Sequence, residues 1–283
     1  MRFKENIMSI ICQTQPDRPG LVSLISSFFS KEEINIIECE EHVENQQFLM
    51  RITIQEDEQM RKNKWQSQLK QHLKDHHISV TIKNHNEPTK LVLFCSKETH
   101  CLMDIISQIM TKECHASIEC VISNHRSVEP ICNQFGIRYD YVSEPSKEKQ
   151  DSRIISILDT VDFDCIGLAK YMQILSVNFL NNINVPIINI HHSFLPAFIG
   201  QNPYRQAWER GVKLIGATAH YVIEALDEGQ IITQDVVQVN HQYSINELKI
   251  KGRALEKKVF SDAIKKQSEN KIAVVGNRTV VFH

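Results

Sequence analysis

The chain has 283 residues, a formal net charge of -2, 42% hydrophobic residues and 23% charged residues. This length exceeds the usual size of one domain and the composition is that of a globular protein, so we expect two compact domains and exclude a disordered or fibrous chain. The near-zero net charge argues against a nucleic-acid-binding surface and favours a small substrate.

The start of the chain and its cysteines both indicate a cytosolic protein. Glu5 is acidic at the point where a signal peptide would become apolar, and no apolar run reaches the ~18 residues of a membrane helix. The eight cysteines are scattered, with no Cys-x-x-Cys pair. We therefore expect reduced thiols, no zinc held by cysteine and no membrane partner.

The first part of the chain, residues 1–84, is predicted to be a ferredoxin-like domain. Short strand-like runs and amphipathic helical patterns follow in the order βαββαβ, over residues 8–13, 20–31, 34–42, 47–54, 58–76 and 78–83. A hairpin around Asn45 and two crossover helices give a four-stranded antiparallel sheet with both helices on one face.

A turn with two prolines and a glycine, Pro-Asp-Arg-Pro-Gly-Leu-Val (residues 16–22), precedes the first predicted helix. With the helix and strand that follow, it resembles the start of an ACT domain, a module that binds amino acids at a paired-sheet interface. The resemblance implies a regulatory domain with an amino-acid effector and a homo-oligomer. The alternative is a tight turn that only starts a helix, with Pro19 in its first turn and Gly20 allowing close backbone approach.

A polar segment with Pro88, residues 85–89, is predicted to be the linker to a second domain over residues 90–283. Five apolar runs there, separated by helical patterns, predict a doubly wound and mainly parallel α/β sheet. The second domain is completed by two further strands, a long helix from about Ile245 and a hairpin turned by Gly276 and Asn277. Ligands of such sheets bind beyond the carboxyl ends of the strands.

A polar cluster ends one of these apolar runs, in Asn-Ile-His-His-Ser-Phe-Leu-Pro (residues 189–196). Strand alternation places Asn189 and His191 on one face and Ile190 on the other. An amide donor beside an imidazole can stabilise an oxyanion and move a proton at one reacting carbonyl.

Three further segments join this cluster: Leu-Ala-Lys-Tyr-Met-Gln-Ile-Leu-Ser (168–176), Gly-Ala-Thr-Ala-His-Tyr (216–221) and Leu-Asp-Glu-Gly (226–229). Their order and spacing resemble the folate-dependent formyltransferase fold and, within it, the formyltetrahydrofolate deformylases. The resemblance implies hydrolysis of 10-formyltetrahydrofolate to formate and tetrahydrofolate without a prosthetic group. It implies that Asn189, His191 and Asp227 are catalytic, and that the folate binds at Met172, Gln173, Ile174, Leu175, Ile223 and Leu226.

Two other chemistries remain open for this cluster. Ser193 could be a nucleophile, but no Gly-x-Ser-x-Gly elbow is present to expose it. His191, His192 and His220 could bind zinc, but adjacent strand residues point in opposite directions unless the strand ends between them, so we expect no metal. His220 could support the active loop or be a core histidine, and both interpretations are kept.

The formyl acceptor is predicted to be water. A ribonucleotide acceptor would favour a glycine-rich loop around its phosphate, whereas residues 96–100 lack glycine and contain Glu98. A tRNA acceptor would need a basic module, whereas the first domain carries several glutamates. The alternatives are formyl transfer to glycinamide ribonucleotide and a non-catalytic sensor of amino acids and folate.

Overall fold

The computed structural model describes residues 6–57, 60, 64–197 and 202–283. The chain divides into two compact units, Met1–Pro88 with Lys266–His283, and Thr89–Lys265. In the described part no helix is long and apolar enough to cross a membrane.

The first unit contains a four-stranded antiparallel sheet in the strand order β2-β3-β1-β4. Its elements are β1 (Asn6–Thr14), α1 (Leu21–Lys31), β2 (Ile36–Glu44), β3 (Gln47–Glu56), α2 (Trp65–Lys74) and β4 (Ser79–Asn84). Part of the second predicted helix, residues 58–59 and 61–63, lies outside the described residues. The β2–β3 hairpin turns at Asn45 and Gln46, both with positive φ, as two-residue hairpin turns require.

The central strands of this sheet are buried on both faces. Ile10 and Ile52 belong to one core cluster with Ile25 and Trp65 from the helices, and the other face has its own cluster. That second cluster joins Ile11 and Leu49 to Ala273, Val275 and Phe282, around the hairpin of β12 (Ile272–Val275) and β13 (Arg278–Val281). Because successive strand residues point to opposite faces, continuous apolar runs in β1 and β3 need a cover on each side.

The closing hairpin forms at Gly276 and Asn277, as predicted, but its position corrects the domain boundary. The second domain was predicted to span residues 90–283, whereas Lys266–His283 pack within the first compact unit. The physical reason is the second apolar face of the sheet, which the hairpin covers.

The turn before α1 also differs from its prediction. Gly20 is the N-cap residue with a φ of 93°, and Pro19 precedes the helix instead of lying in its first turn. A side chain at Gly20 would meet no atom within 4 Å. Glycine is therefore favoured there by the left-handed backbone, not by close packing.

The second unit is a seven-stranded sheet in the order β11-β10-β9-β8-β5-β6-β7. Its strands are β5 (Thr89–Cys95), β6 (Ala116–Ser123), β7 (Tyr139–Tyr141), β8 (Cys165–Ala169), β9 (Ile187–His191), β10 (Leu214–Tyr221) and β11 (Ile231–Gln238). Its helices are α3 (His100–Met110), α4 (Glu129–Phe135), α5 (Lys147–Leu158), α6 (Val177–Asn181), α7 (Pro203–Glu209) and α8 (Ile245–Ser268), whose last three residues extend past Lys265.

The prediction of a mainly parallel sheet is confirmed. β7, β6, β5, β8 and β9 are parallel, while β10 and β11 are antiparallel additions at one edge. The chain runs from β5 outward to β7 and then returns to β8 on the other side of β5. This reversal makes the carboxyl ends of β5 and β8 the topological switch point, where such sheets bind ligands.

Candidate active site

A cavity of about 390 Å³ opens beyond the carboxyl ends of β8 and β9. All nine residues that the sequence analysis assigned to catalysis or folate binding line this cavity: Asn189, His191, Asp227, Met172, Gln173, Ile174, Leu175, Ile223 and Leu226. The structure therefore brings the two predicted groups together in one pocket.

His191 is the last residue of β9 and is only 6% exposed. Its Nδ1 lies 3.2 Å from Oδ2 of Asp227. Its Nε2 is buried and has no hydrogen-bond partner in the described part of the chain. With Nδ1 directed to a carboxylate, Nε2 is the ring nitrogen left to exchange a proton with a ligand.

Asp227 is held in place by an unusual backbone. Its φ is 57°, in the left-handed region that non-glycine residues rarely adopt. A side chain at Gly229 would lie 1.7 Å from the carbonyl oxygen of Tyr221, so only glycine lets this loop approach β10 so closely. The Tyr221 N–H donates to the carbonyl of Gln230 at 2.9 Å, which fixes the loop against the strand end.

The carboxyl group of Asp227 is ionised at neutral pH. Burial on its own would raise its pKa, but hydrogen bonds from His191 and His220 and the charges of both imidazoles hold that pKa well below its usual range. The site thus contains a permanent negative charge against Nδ1 of His191.

His220, whose role the sequence left open, contacts two of the three predicted catalytic residues, Asn189 and Asp227. Its Nδ1 lies 2.8 Å from the Tyr221 carbonyl, and its Nε2 lies 3.2 Å from Nδ2 of Asn189 and 3.5 Å from Oδ1 of Asp227. Nδ1 carries a proton because it faces a carbonyl oxygen, and Nε2 lies between the Asn189 amide and the Asp227 carboxylate. His220 therefore supports the active loop and is also buried, at 2% exposure.

The residues of the two alternative chemistries have other neighbours, although His191, His192 and His220 all line the cavity. β9 ends at His191, so strand alternation does not apply to His192, and the two rings lie side by side with centroids 5.3 Å apart. His191 and His220 are both directed to Asp227, whereas the His192 ring lies 6.0 Å from that of Tyr204. Ser193 is buried and its hydroxyl donates to the Ala197 carbonyl at 2.8 Å, so it does not point its oxygen at a substrate.

The folate-binding segment differs in one respect from its prediction. Leu175 is buried, as apolar packing would give, but Met172 and Ile174 are 64% and 67% exposed. The segment is anchored at both ends instead. The Met172 N–H donates to Oγ of Ser96 at 3.0 Å, and Ser176 donates to buried Asp151.

A charged network lies beside this cavity, at residues for which the sequence predicted no role. Glu256, 1% exposed, lies 3.3 Å from Nζ of Lys170 and 2.7 Å from Nε2 of His100, and it accepts a hydrogen bond from Tyr204. Burial alone would raise the pKa of Glu256, but these partners lower it to about 2. A lysine directly after the fully apolar strand β8 was the signal available in the sequence.

The only group of side chains with metal-ligand spacing in the described ranges is His100, Cys101 and Glu256. The Lys170 ammonium already neutralises Glu256 there, and burial keeps the pKa of the Cys101 thiol well above its usual value. A protonated thiol beside an ammonium ion is a poor cation site.

His192 lies beside this network, and its pKa is lowered to about 4 by burial and by the charge of Lys170. This value is below the ordinary histidine pKa of about 6.5. Between about pH 6.5 and pH 4, His192 is therefore protonated more fully in the unfolded chain than in the folded chain. His192 therefore contributes stability that is fully present above pH 6.5 and is lost across that window.

We expect the free energy of unfolding of the wild type to fall between pH 7 and pH 5. In His192→Gln this loss of free energy should be smaller by about 1–2 kcal/mol. Urea denaturation at both pH values measures the difference. His42→Gln, at an exposed histidine of the first unit, is the matched control and should retain the wild-type pH dependence. Equal losses in the wild type and His192→Gln would show that His192 is not the group responsible.

The comparisons with known proteins agree with this geometry. Residues 89–264 match the family model described as "Formyl transferase". A formyltetrahydrofolate deformylase from Synechocystis sp. is 39% identical over 98% of this chain and 99% of its own length. The crystal structure of a formyltetrahydrofolate deformylase from Pseudomonas syringae pv. tomato matches with a TM-score of 0.90 and 34% identity, over 100% of this chain and 96% of that one.

A more distant structural relative covers a smaller share of the chain. The glycinamide ribonucleotide transformylase 1 of Symbiobacterium toebii matches 71% of this chain and 97% of its own, with 26% identity and a TM-score of 0.67. The Synechocystis and Pseudomonas deformylases match over nearly the full length of the chain, and this chain belongs to the formyltetrahydrofolate deformylase family.

Proposed function

We propose that this chain hydrolyses 10-formyltetrahydrofolate to formate and tetrahydrofolate, with Asn189, His191 and Asp227 as catalytic residues. Family membership supports the reaction and the substrate. The observation that carries the residue assignment is the buried Nε2 of His191, which has no partner in the described part of the chain while Nδ1 faces Asp227. The released formate would supply purine synthesis, and the reaction would balance the one-carbon folate pool.

The reaction begins when water attacks the formyl carbon on N10 of the folate. The carbonyl electron pair moves to oxygen and forms a tetrahedral oxyanion, while the water proton goes to Nε2 of His191. One amide hydrogen of Asn189 is directed to His220, and the other is available to donate to the oxyanion.

The intermediate collapses when the carbon–nitrogen bond breaks. His191 returns its proton to N10 as the electron pair of that bond moves to the nitrogen, so tetrahydrofolate leaves neutral at N10 and formic acid ionises to formate. Asp227 stabilises the imidazolium between these two steps and fixes the ring with Nε2 toward the substrate. Every proton taken up by His191 is returned within one turnover.

The folate ring would lie between the segment of residues 172–175 and the segment of residues 223–226. Met172 and Ile174 on one side and Leu226 on the other are more than half exposed, so a flat aromatic ring could bury apolar surface against all three. The resemblance adds that the pterin is held mostly by backbone groups of the first segment.

A formate assay tests the proposal. The purified chain is incubated with 10-formyltetrahydrofolate and no acceptor, and we expect equal amounts of formate and tetrahydrofolate. His191→Ala is the negative control. Folate binding without formate would favour the sensor, and a formylated product formed only after glycinamide ribonucleotide is added would favour the transferase.

We infer that the four-stranded unit is an ACT-like, ferredoxin-like regulatory domain of a homo-oligomer with an amino-acid effector. The βαββαβ order and the strand order β2-β3-β1-β4 support this assignment. Edge strand β2 carries Glu38, Glu40 and Glu41, and charged edges resist pairing, so β4 is the better edge for pairing two copies. A calorimetric screen of the amino acids that finds no ligand would contradict the effector, and a monomer in light scattering would contradict the oligomer.

A further inference from the structure

A second cavity of about 810 Å³ adjoins the catalytic cavity within the same unit. Lys170, Met172 and His192 line both cavities. A volume of this size accommodates a small organic molecule. A ligand there would contact residues that also line the cavity with His191, and so would lie next to a formyl group held in that cavity.

Basic side chains predominate in the lining of the second cavity: Lys97, Lys170, Arg205, Lys249 and Arg253, against the acidic Glu98 and Glu256. Glu256 is already neutralised by Lys170. No ion pair engages Lys97 or Lys249 within the ranges that the structure describes. Such a cavity would attract a phosphorylated molecule if nothing opposed it.

Glu98 is the group that opposes it. Its Oε1 lies 2.9 Å from Nη2 of Arg253, and its Oε2 lies 3.7 Å from Nδ1 of His100. The guanidinium, which is the side chain best suited to bind a phosphate through two hydrogen bonds, is therefore engaged by an internal carboxylate. A phosphate entering the cavity would also meet the negative charge of Glu98 itself.

We propose that Glu98 excludes phosphorylated formyl acceptors from the second cavity by engaging Arg253, which leaves water as the acceptor. This inference rests on the proposed hydrolysis. Glu256 does not have the same role, because it is 1% exposed and its oxygens are occupied by Lys170, His100 and Tyr204. Glu98 is partly exposed and its removal frees a guanidinium that faces the cavity.

Ribose 5-phosphate is the probe, and its binding to the full-length chain is measured by isothermal titration calorimetry. We expect Glu98→Gln to lower its Kd at least ~10-fold, because a repulsive charge is removed and an arginine is released. The double variant Glu98→Gln/Arg253→Gln should return to within about threefold of the wild-type Kd, since the freed guanidinium is then absent. Ribose without phosphate should bind none of these proteins.

Glu129→Gln is the matched control, because Glu129 also pairs with an arginine, Arg126 at 3.3 Å, but lines neither cavity. Its Kd for ribose 5-phosphate should equal that of the wild type. The inference is wrong if Glu98→Gln binds the probe no more tightly than the wild type, or if tight binding survives in the double variant. Thermal melting of each variant confirms that it is folded.

Failure here is distinguishable from failure of the proposed function. If the wild type releases formate from 10-formyltetrahydrofolate without an acceptor, hydrolysis stands whatever the calorimetry gives. If it releases none, the proposed function fails, and the Kd values of the four proteins still report whether Glu98 controls phosphate binding in the cavity.

Discussion

Asp227→Asn is expected to lower the turnover number for formate release by at least ~100-fold while the chain still folds, the magnitude of lost acid–base assistance. In the wild type the carboxylate faces Nδ1 of His191 and Nε2 of His220. An amide keeps the shape but removes the charge that stabilises the imidazolium. It also offers one oxygen where the carboxylate offers two.

The measurement is kcat in the formate assay, with circular dichroism to confirm folding. Asp235→Asn is the matched control, because it makes the same change of charge outside both cavities. Asp235 lies on β11 and forms a partly exposed ion pair with Lys258. Turnover near that of the wild type in Asp227→Asn would remove Asp227 from the mechanism.

The ionisation of Asp227 also gives the sign of its effect on stability. Its folded-state pKa is depressed, so its contribution is present above the ordinary aspartate pKa and is lost as the pH falls through the folded value. Asp227→Asn should therefore cost stability at pH 7, because the folded state loses an ionised carboxylate that two imidazoles stabilise.

Lys170→Met should lower the free energy of unfolding by about 3–5 kcal/mol, because it leaves the Glu256 carboxylate buried without its cation. Lys170 is 6% exposed and Glu256 is 1% exposed, so little water screens the charge of the carboxylate. Urea denaturation measured at pH 7 gives the change in free energy. Methionine keeps most of the side-chain volume, so the loss reports the charge and not a cavity.

Two variants make this prediction specific to the buried pair. The double variant Lys170→Met/Glu256→Gln should recover more than half of the loss, because the second change removes the uncompensated charge. Lys258 lies on α8, as Glu256 does, and forms a partly exposed ion pair with Asp235 of β11. Lys258→Met breaks that pair and should change the urea midpoint far less than Lys170→Met does. A Lys170→Met protein as stable as the wild type would show that Glu256 is satisfied by His100 and Tyr204 alone.

The sequence alone predicted the features that depend on neighbouring residues in the chain. Strand alternation placed Asn189 and His191 on one face of β9, and Gly276 with Asn277 gave the closing hairpin. Six of the nine predicted site residues follow β8 or lie in β9, and these parallel strands end at the same edge of the sheet. Ile223, Leu226 and Asp227 instead follow the antiparallel strand β10.

The tertiary structure decided the features that depend on long-range contacts. The left-handed φ of Asp227 and the contact of Gly229 with Tyr221 direct the carboxylate to two imidazoles at once. The pairing of Lys170 with Glu256 and the position of the closing hairpin in the first unit likewise join residues far apart in the chain. Periodicity and turn chemistry describe how a segment folds, but partners across the fold are chosen by burial and charge, which exist only once the segments have packed.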